Sequence, residues 1–110
     1  MPNDIRLKKE KDFKIVFNKG KRLFSSSLTL VYLPAENIKV GYAVGKKHGS
    51  SVKRNRIKRL LRESFRSFVP LLKQDFFFVF IPKVSSEYTL EIFKENMKYL
   101  FSKGGIIEKC

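Results

Sequence analysis

Several residue types that protein active sites depend on are scarce in this chain of 110 residues. It has one His and one Cys, so neither a His/Cys zinc site nor a triad with a spare base is available. Its ten Asp and Glu residues are scattered, whereas a two-metal nuclease site needs clustered carboxylates. No Gly-rich nucleotide loop is present. The composition therefore argues against a metal or small-molecule cofactor bound by protein side chains, and against a protein-only nuclease.

Targeting and redox features are equally sparse. The single Cys is Cys110, which excludes an intrachain disulfide and suits a reducing compartment. No apolar run is as long as a membrane span, and the start at residues 1–4 has no signal-peptide pattern. No linker or repeat divides the chain. We therefore expect one cytoplasmic domain over residues 1–110, without membrane contact, whose last residues (about 104–110) fray.

Positive charge is abundant and concentrated. Lys and Arg outnumber Asp and Glu by 24 to 10, which gives a net charge of +14. Residues 46–66 hold nine Lys and Arg against one acid, Glu63. The hydrophobic fraction of 43% excludes a disordered basic tail. A folded domain with such a one-signed segment is typical of a protein that binds a polyanion, and nucleic acid is the prediction.

Hydrophobic periodicity predicts an α+β sandwich in the order α-β-β-(β)-α-β-α, with a small, mainly antiparallel sheet packed against helices. Strands 28–33 and 38–44 are interpreted as an adjacent hairpin, and residues 22–27 either start the first strand early or form a separate short one. Strand 75–81 is apolar on both faces, so a central position covered on both sides is expected. Helices are predicted over residues 9–18, 51–68 and 90–101.

The helix predicted over residues 51–68 combines an apolar stripe with a basic surface. The expected buried stripe is Val52, Ile57, Leu60, Leu61, Phe65 and Phe68. Positions three and four apart share a helix face, so the polar residues form rows that can follow a sugar–phosphate backbone. A solvated helix face is the alternative, but such faces usually mix both charge signs. The candidate residues are Lys53, Arg54, Asn55, Arg56, Lys58, Arg59, Arg62 and Arg66.

Two smaller features could also contact nucleic acid. Lys46 and Lys47 precede the helix start and could form an anion-binding turn or a plain polar one; His48 beside them is expected at the surface. Phe13 and Phe17 lie one helical turn apart on a Lys-rich segment that includes Lys14. Aromatic rings among cations suit single-stranded nucleic acid, although two Phe at this spacing are also typical core anchors.

The run from Arg54 to Glu63, preceded by residues 40–47 and Gly49, resembles the signature of the bacterial ribonuclease P protein component. The resemblance extends over nearly the whole chain. It implies an α-β sandwich with a left-handed β-α-β crossover around the basic helix. It also implies the protein subunit of a ribonucleoprotein that matures the 5′ ends of precursor tRNA, in which a catalytic RNA performs the chemistry with Mg²⁺.

The resemblance further implies how the candidate residues divide between partners. The basic helix would face the ribonuclease P RNA, and Lys46 and Lys47 would meet phosphate nearby. Phe13, Phe17 and Lys14, with one sheet face, would line a cleft for the unpaired 5′ leader of precursor tRNA. The alternative function is a structural RNA-binding protein, such as a ribosomal protein of similar fold, which composition alone does not exclude.

Overall fold

A four-stranded mixed sheet organises the chain, and the computed structural model describes it over residues 5–107. Each predicted helix and strand begins and ends within two residues of its observed bounds, except that the optional strand over residues 22–27 ends three residues too late. The helices are α1 (Glu10–Lys19), α2 (Ser51–Arg66) and α3 (Leu90–Lys103), and the strands are β1 (Lys21–Phe24), β2 (Leu28–Pro34), β3 (Lys39–Tyr42) and β4 (Phe76–Pro82). Single 3₁₀ turns at Lys46–His48 and Val69–Leu71 flank α2. The α+β prediction is confirmed, with residues 21–24 as a separate short strand.

The predicted hairpin of strands 28–33 and 38–44 is wrong. The strand order is β1-β2-β4-β3, so β4 lies between the two strands that are consecutive in the sequence. β2 pairs with β1 and β4 in antiparallel fashion, whereas β3 pairs with β4 in parallel. The reason is burial: β4 is the strand with the most apolar surface on both faces, and a central position covers both of them. α2 consequently lies within a β-α-β crossover from β3 to β4.

The two faces of β4 face different helices. Phe78 and Phe80 are fully buried and pack against Phe65 of α2 and Phe101 of α3, with ring centroids 5.2 to 6.0 Å apart. On the other face, Val79 is fully buried in a smaller cluster with Val16 of α1. The prediction of a central strand covered on both sides is confirmed. α1 covers only part of its face, however, because Phe77 and Ile81 stay half-exposed.

Helix α2 begins at a Ser50 cap and buries Ile57, Leu61 and Phe65. The side-chain oxygen of Ser50 accepts a hydrogen bond from the Lys53 amide at 3.3 Å. Val52 was expected in the buried stripe but is 78% exposed. Nine residues separate it from Leu61, and at 3.6 residues per turn that places it about 180° away, on the opposite side of the helix.

The end of the chain packs rather than frays as far as it is described. Ile106 and Ile107 are buried, and Ile107 forms a bridge with Leu72. The Lys73 amide donates to the Ile106 carbonyl at 3.0 Å. The predicted fraying is therefore wrong for residues 104–107, because these two side chains close the core beneath α3. Residues 108–110 of that prediction lie outside the described residues.

Candidate nucleic-acid interface

The exposed side of α2 presents positive charge without acidic partners. Of the eight predicted residues on it, Arg54 and Lys58 are half-buried and the other six are exposed. Among residues 5–107, no acid forms an ion pair with any of these cations. We call this surface the basic face; it consists of Lys53, Arg54, Asn55, Arg56, Lys58, Arg59, Arg62 and Arg66. Its donors point outward while the apolar stripe holds the helix on the sheet.

Local contacts orient both ends of the basic face. At its start, the Arg54 Nε donates to the Gly49 carbonyl at 3.2 Å, and the Lys53 ammonium lies 5.9 Å from the centre of the Tyr88 ring. At its other end, Arg62 and Arg66 lie near the phenol of Tyr42 on β3. Burial raises the pKa of Tyr42 well above its ordinary value, and the two positive guanidinium groups oppose that rise. The basic face thus reaches to the rim of the sheet.

The turn at Lys46 and Lys47, which we call the basic turn, is held by a buried histidine. Both lysines are exposed, whereas His48 is only 2% exposed. The Gly45 amide donates to His48 Nδ1 at 3.0 Å, and His48 Nε2 lies 2.7 Å from the Pro82 carbonyl. Because a carbonyl can only accept, His48 Nε2 carries a proton and donates it to the Pro82 carbonyl, while Nδ1 also lies 3.3 Å from the Gly45 carbonyl.

The expectation of a surface histidine is therefore wrong. His48 ties the basic turn to the end of the central strand, since Pro82 is the last residue of β4. Its two hydrogen bonds provide the physical reason for burial, because they replace those that water would give. Nothing in the sequence pattern could have signalled this role, because the pairing joins residues 34 positions apart.

Phe13 and Phe17 project from α1 over the uncovered part of the sheet. Both rings are half-buried, with centroids 6.5 Å apart and planes 25° from parallel. Like Ala43, Phe77 and Ile81, they pack against the small buried cluster that contains Val16 and Val79. Phe13 lies close against β3, where a Cβ added to Gly41 would be 2.6 Å from its ring. Each ring is therefore both a packing anchor and a partly open surface.

The partly exposed surface beside α1 on this face of the sheet is a candidate binding cleft, which we call the aromatic cleft. Its wall is formed by Phe13 and Phe17, and its floor is the half-exposed row of Thr29 and Ile81 with Ala43 at one end. Lys14, also predicted here, is exposed and pairs with Glu10 at 3.8 Å. Ala43 leads within three residues to Lys46, so the cleft and the basic turn adjoin at the end of β3.

Two residues that sequence reasoning missed extend this surface. The Arg22 guanidinium carbon lies 5.7 Å from the centre of the Phe17 ring, and its Nη2 donates to the Phe17 carbonyl at 3.3 Å. Phe24 is 58% exposed. The signal was available in principle: in a separate β1 strand, Arg22 and Phe24 alternate with inward-facing Leu23.

Within residues 5–107, no three His, Cys, Asp or Glu side chains come together in a way that could hold a metal ion. In the same part of the chain, no helix has the length and apolar character needed to cross a membrane. What this surface offers is exposed cationic side chains and partly exposed aromatic rings.

Comparison with known proteins identifies the family. The family model described as Ribonuclease P matches residues 1–104. The ribonuclease P protein component of Bacillus velezensis is 35% identical over 107 residues, which cover 94% of this chain and 92% of the relative. That of Dictyoglomus turgidum is 37% identical over 113 residues, with 98% and 95% coverage. The chain belongs to the ribonuclease P protein family.

Solved structures agree with this ribonuclease P assignment. The RNase P protein of Staphylococcus aureus superposes with a TM-score of 0.84 at 21% identity, covering 96% of this chain and 100% of that one; this likeness bears on the fold alone. The RNase P protein of Thermotoga maritima gives a TM-score of 0.79 at 25% identity, with 94% and 98% coverage. The family prediction and the α+β fold are confirmed.

Membership settles the general function that the resemblance implied. The chain is the protein component of ribonuclease P, the ribonucleoprotein endoribonuclease that matures the 5′ ends of tRNA. The partner that membership implies is the ribonuclease P RNA.

Proposed function

We propose that two adjoining surfaces of the ribonuclease P protein bind two different RNAs. The basic face of α2 and the basic turn bind the catalytic RNA, and the aromatic cleft binds the unpaired 5′ leader of precursor tRNA. The observation that carries the division is that the exposed cations and the half-exposed rings occupy separate surfaces. These surfaces meet only at the end of β3.

Structured RNA is the partner that suits the basic face. Its cations are unpaired within residues 5–107 and mounted on a helix, so they need little reorganisation to bind phosphates. Arginine can bind a phosphate with two parallel hydrogen bonds, and Asn55 adds a neutral donor and acceptor for a ribose or base edge. Binding of this kind releases counterions, so affinity falls steeply with salt.

Single-stranded RNA is the partner that suits the aromatic cleft. Phe13 and Phe17 offer ring faces for bases, while Lys14 and Arg22 offer charge for the backbone. Stacking of this kind tolerates any base, which a subunit serving many precursor tRNAs requires. A paired strand could not use the cleft, because its bases are already stacked within the duplex.

We propose that the Mg²⁺ required for phosphodiester cleavage is held by RNA. The described part of the chain offers no cluster of metal-ligating side chains. When bound, the ion supplies electrostatic stabilisation of the reacting phosphate. The side chains of this protein neutralise nearby phosphates, which lowers the repulsion between substrate and catalytic RNA. We infer that this maturation of precursor tRNA takes place in the cytoplasm.

The direct test is cleavage of precursor tRNA by a bacterial ribonuclease P RNA at low Mg²⁺, with and without this protein. We expect correct 5′ maturation only when the protein is present. Absence of stimulation despite tight RNA binding would overturn the proposed function.

A second test separates the two surfaces. Phe17→Leu keeps an apolar group but removes the flat ring. We expect it to weaken the affinity of the holoenzyme for precursor tRNA by roughly 5- to 160-fold, the range for one lost base–aromatic stack, and to leave mature tRNA binding and assembly unchanged. Equal losses for substrates with and without a leader would refute the assignment of the aromatic cleft.

A further inference from the structure

Phe24 is an unusually exposed aromatic residue on the outer strand of the sheet. Its side chain is 58% exposed although it lies within β1. The neighbouring Leu23 packs against the main core, so strand alternation directs Phe24 to the opposite face, the face that α1 partly covers. A large exposed ring at this position has no role in core packing.

The register of the sheet places Phe24 in line with the floor of the aromatic cleft. Phe24 is opposite Thr29 on β2, and Thr29 is opposite Ile81 on β4. Ala43 continues the row on the β3 side, where its amide donates to the Phe80 carbonyl at 2.9 Å. The floor therefore runs across all four strands and ends at Phe24.

Arg22 connects Phe24 with the rings of α1. It lies two residues away on the same face of β1, and its guanidinium group contacts the Phe17 ring and carbonyl. Along the series Phe13, Phe17, Arg22 and Phe24, a cation thus lies between the rings of α1 and the ring of β1. This alternation of stacking surface and positive charge is what an unpaired strand requires.

The two ends of this row differ in their surroundings. Ala43 leads into the basic turn, and β3 is the strand at that edge. Phe24 is on β1, at the far edge of the same sheet. Three inter-strand spacings separate the edges by about 14 Å, the length of roughly four stacked nucleotides.

We propose that Phe24 is a second stacking position for the 5′ leader, engaged by nucleotides farther from the cleavage site than those stacked on Phe13 and Phe17. The inference rests on the proposed binding of the leader in the aromatic cleft. The catalytic RNA bound at the basic face and turn holds the cleavage site at the β3 edge, so the leader crosses the sheet toward β1. Arg22 neutralises a phosphate between the two stacking positions.

The experiment measures the affinity of reconstituted holoenzyme for labelled precursor tRNAs that differ only in leader length. Because the row spans roughly four stacked nucleotides, a short leader has about two nucleotides and a long one about eight. The variants are Phe24→Ala, Phe24→Tyr and the control Tyr99→Ala, which removes a 52% exposed ring from α3. Phe17→Leu is measured in parallel.

We expect Phe24→Ala to weaken binding of the long-leader substrate by roughly 5-fold or more, the lower end for one base–aromatic stack, and to leave the short-leader substrate unchanged. Phe24→Tyr should restore wild-type affinity, and Tyr99→Ala should have no effect. An equal loss with both leaders, or no loss with either, would overturn the proposal. If Phe17→Leu still shows its leader-dependent loss in that case, the aromatic cleft stands and only its extension to Phe24 fails.

Discussion

The salt dependence of RNA binding offers the sharpest test of the basic face. Arg59 and Arg62 are both exposed on α2, three residues apart and therefore neighbours on the helix surface. Replacing both by alanine leaves the apolar stripe intact and introduces a good helix former. If each guanidinium contacts one phosphate of the catalytic RNA, the slope of log K against log salt becomes shallower by about 1.4 to 1.8.

The consequence can be expressed as affinities. Arg59→Ala/Arg62→Ala should bind the RNA more weakly than wild type. A salt increase from about 50 to about 200 mM should shrink this ratio of affinities by roughly 7- to 12-fold. A filter-binding titration of ribonuclease P RNA over this range measures log K against log salt for wild type and for the variant. A variant that binds more weakly by the same factor at every salt concentration would refute phosphate contact by these arginines.

The matched control is Lys94→Ala/Lys98→Ala on α3. Both lysines are exposed, and this pair also removes two positive charges from the net charge of +14. We expect its slope to equal that of wild type. If both double variants shift the slope alike, net charge rather than the basic face governs binding, and the assignment of the face is wrong.

Three further predictions concern the supports of the two surfaces. His48→Ala removes two buried hydrogen bonds and leaves a cavity, so the free energy of unfolding in urea should fall by about 2–4 kcal/mol; an unchanged value would contradict the role of the imidazole. Gly41→Val adds atoms where a Cβ already lies 2.6 Å from the Phe13 ring, so leader-dependent affinity should fall while catalytic RNA binding persists; equal losses in both assays would count against it. Burial raises the pKa of Tyr42, so the phenol ionises in the unfolded chain at a lower pH than in the folded protein. As the pH rises above about 10, ionisation therefore favours the unfolded chain and lowers the free energy of unfolding. Between about pH 8 and about pH 11, the urea midpoint of wild type should therefore fall relative to that of Tyr42→Phe. A difference between the two midpoints that does not change with pH would refute the link between Tyr42 ionisation and stability.

The sequence predicted the elements of the fold better than their arrangement. Helices and strands follow from local periodicity, which is why the bounds of all but β1 agree within two residues. The predicted pairing of β2 with β3 is wrong because strand order depends on which strand gains most from burial at the centre of the sheet. β4, which comes later in the chain, takes the central position because both of its faces are apolar. The handedness of the crossover from β3 to β4 stays an expectation from the family resemblance.

In the candidate site, too, features set by local sequence were predictable and features set by distant residues were not. The cations of α2 were predictable because helix geometry alone separates them from Ile57, Leu61 and Phe65. The buried role of His48 depends on Pro82, which is 34 positions away in the sequence, whereas the exposure of Phe24 follows from alternation once residues 21–24 are a separate strand. Val52 is a different case, because its angular distance from Leu61 already places it on the opposite side of the helix.

The central place of β4 also bears on how the protein is made. Ribosomes deliver residues 76–82 only after β1, β2, β3 and α2 have been synthesised, and until then β2 and β3 have no strand between them. Phe78 and Phe80, the surface on which α2 packs, arrive with the same segment. Such distant pairings make folding cooperative and comparatively slow. We therefore expect a nascent chain that stops before residue 76 to lack the fixed basic face, so that selective RNA capture begins only once the domain is complete.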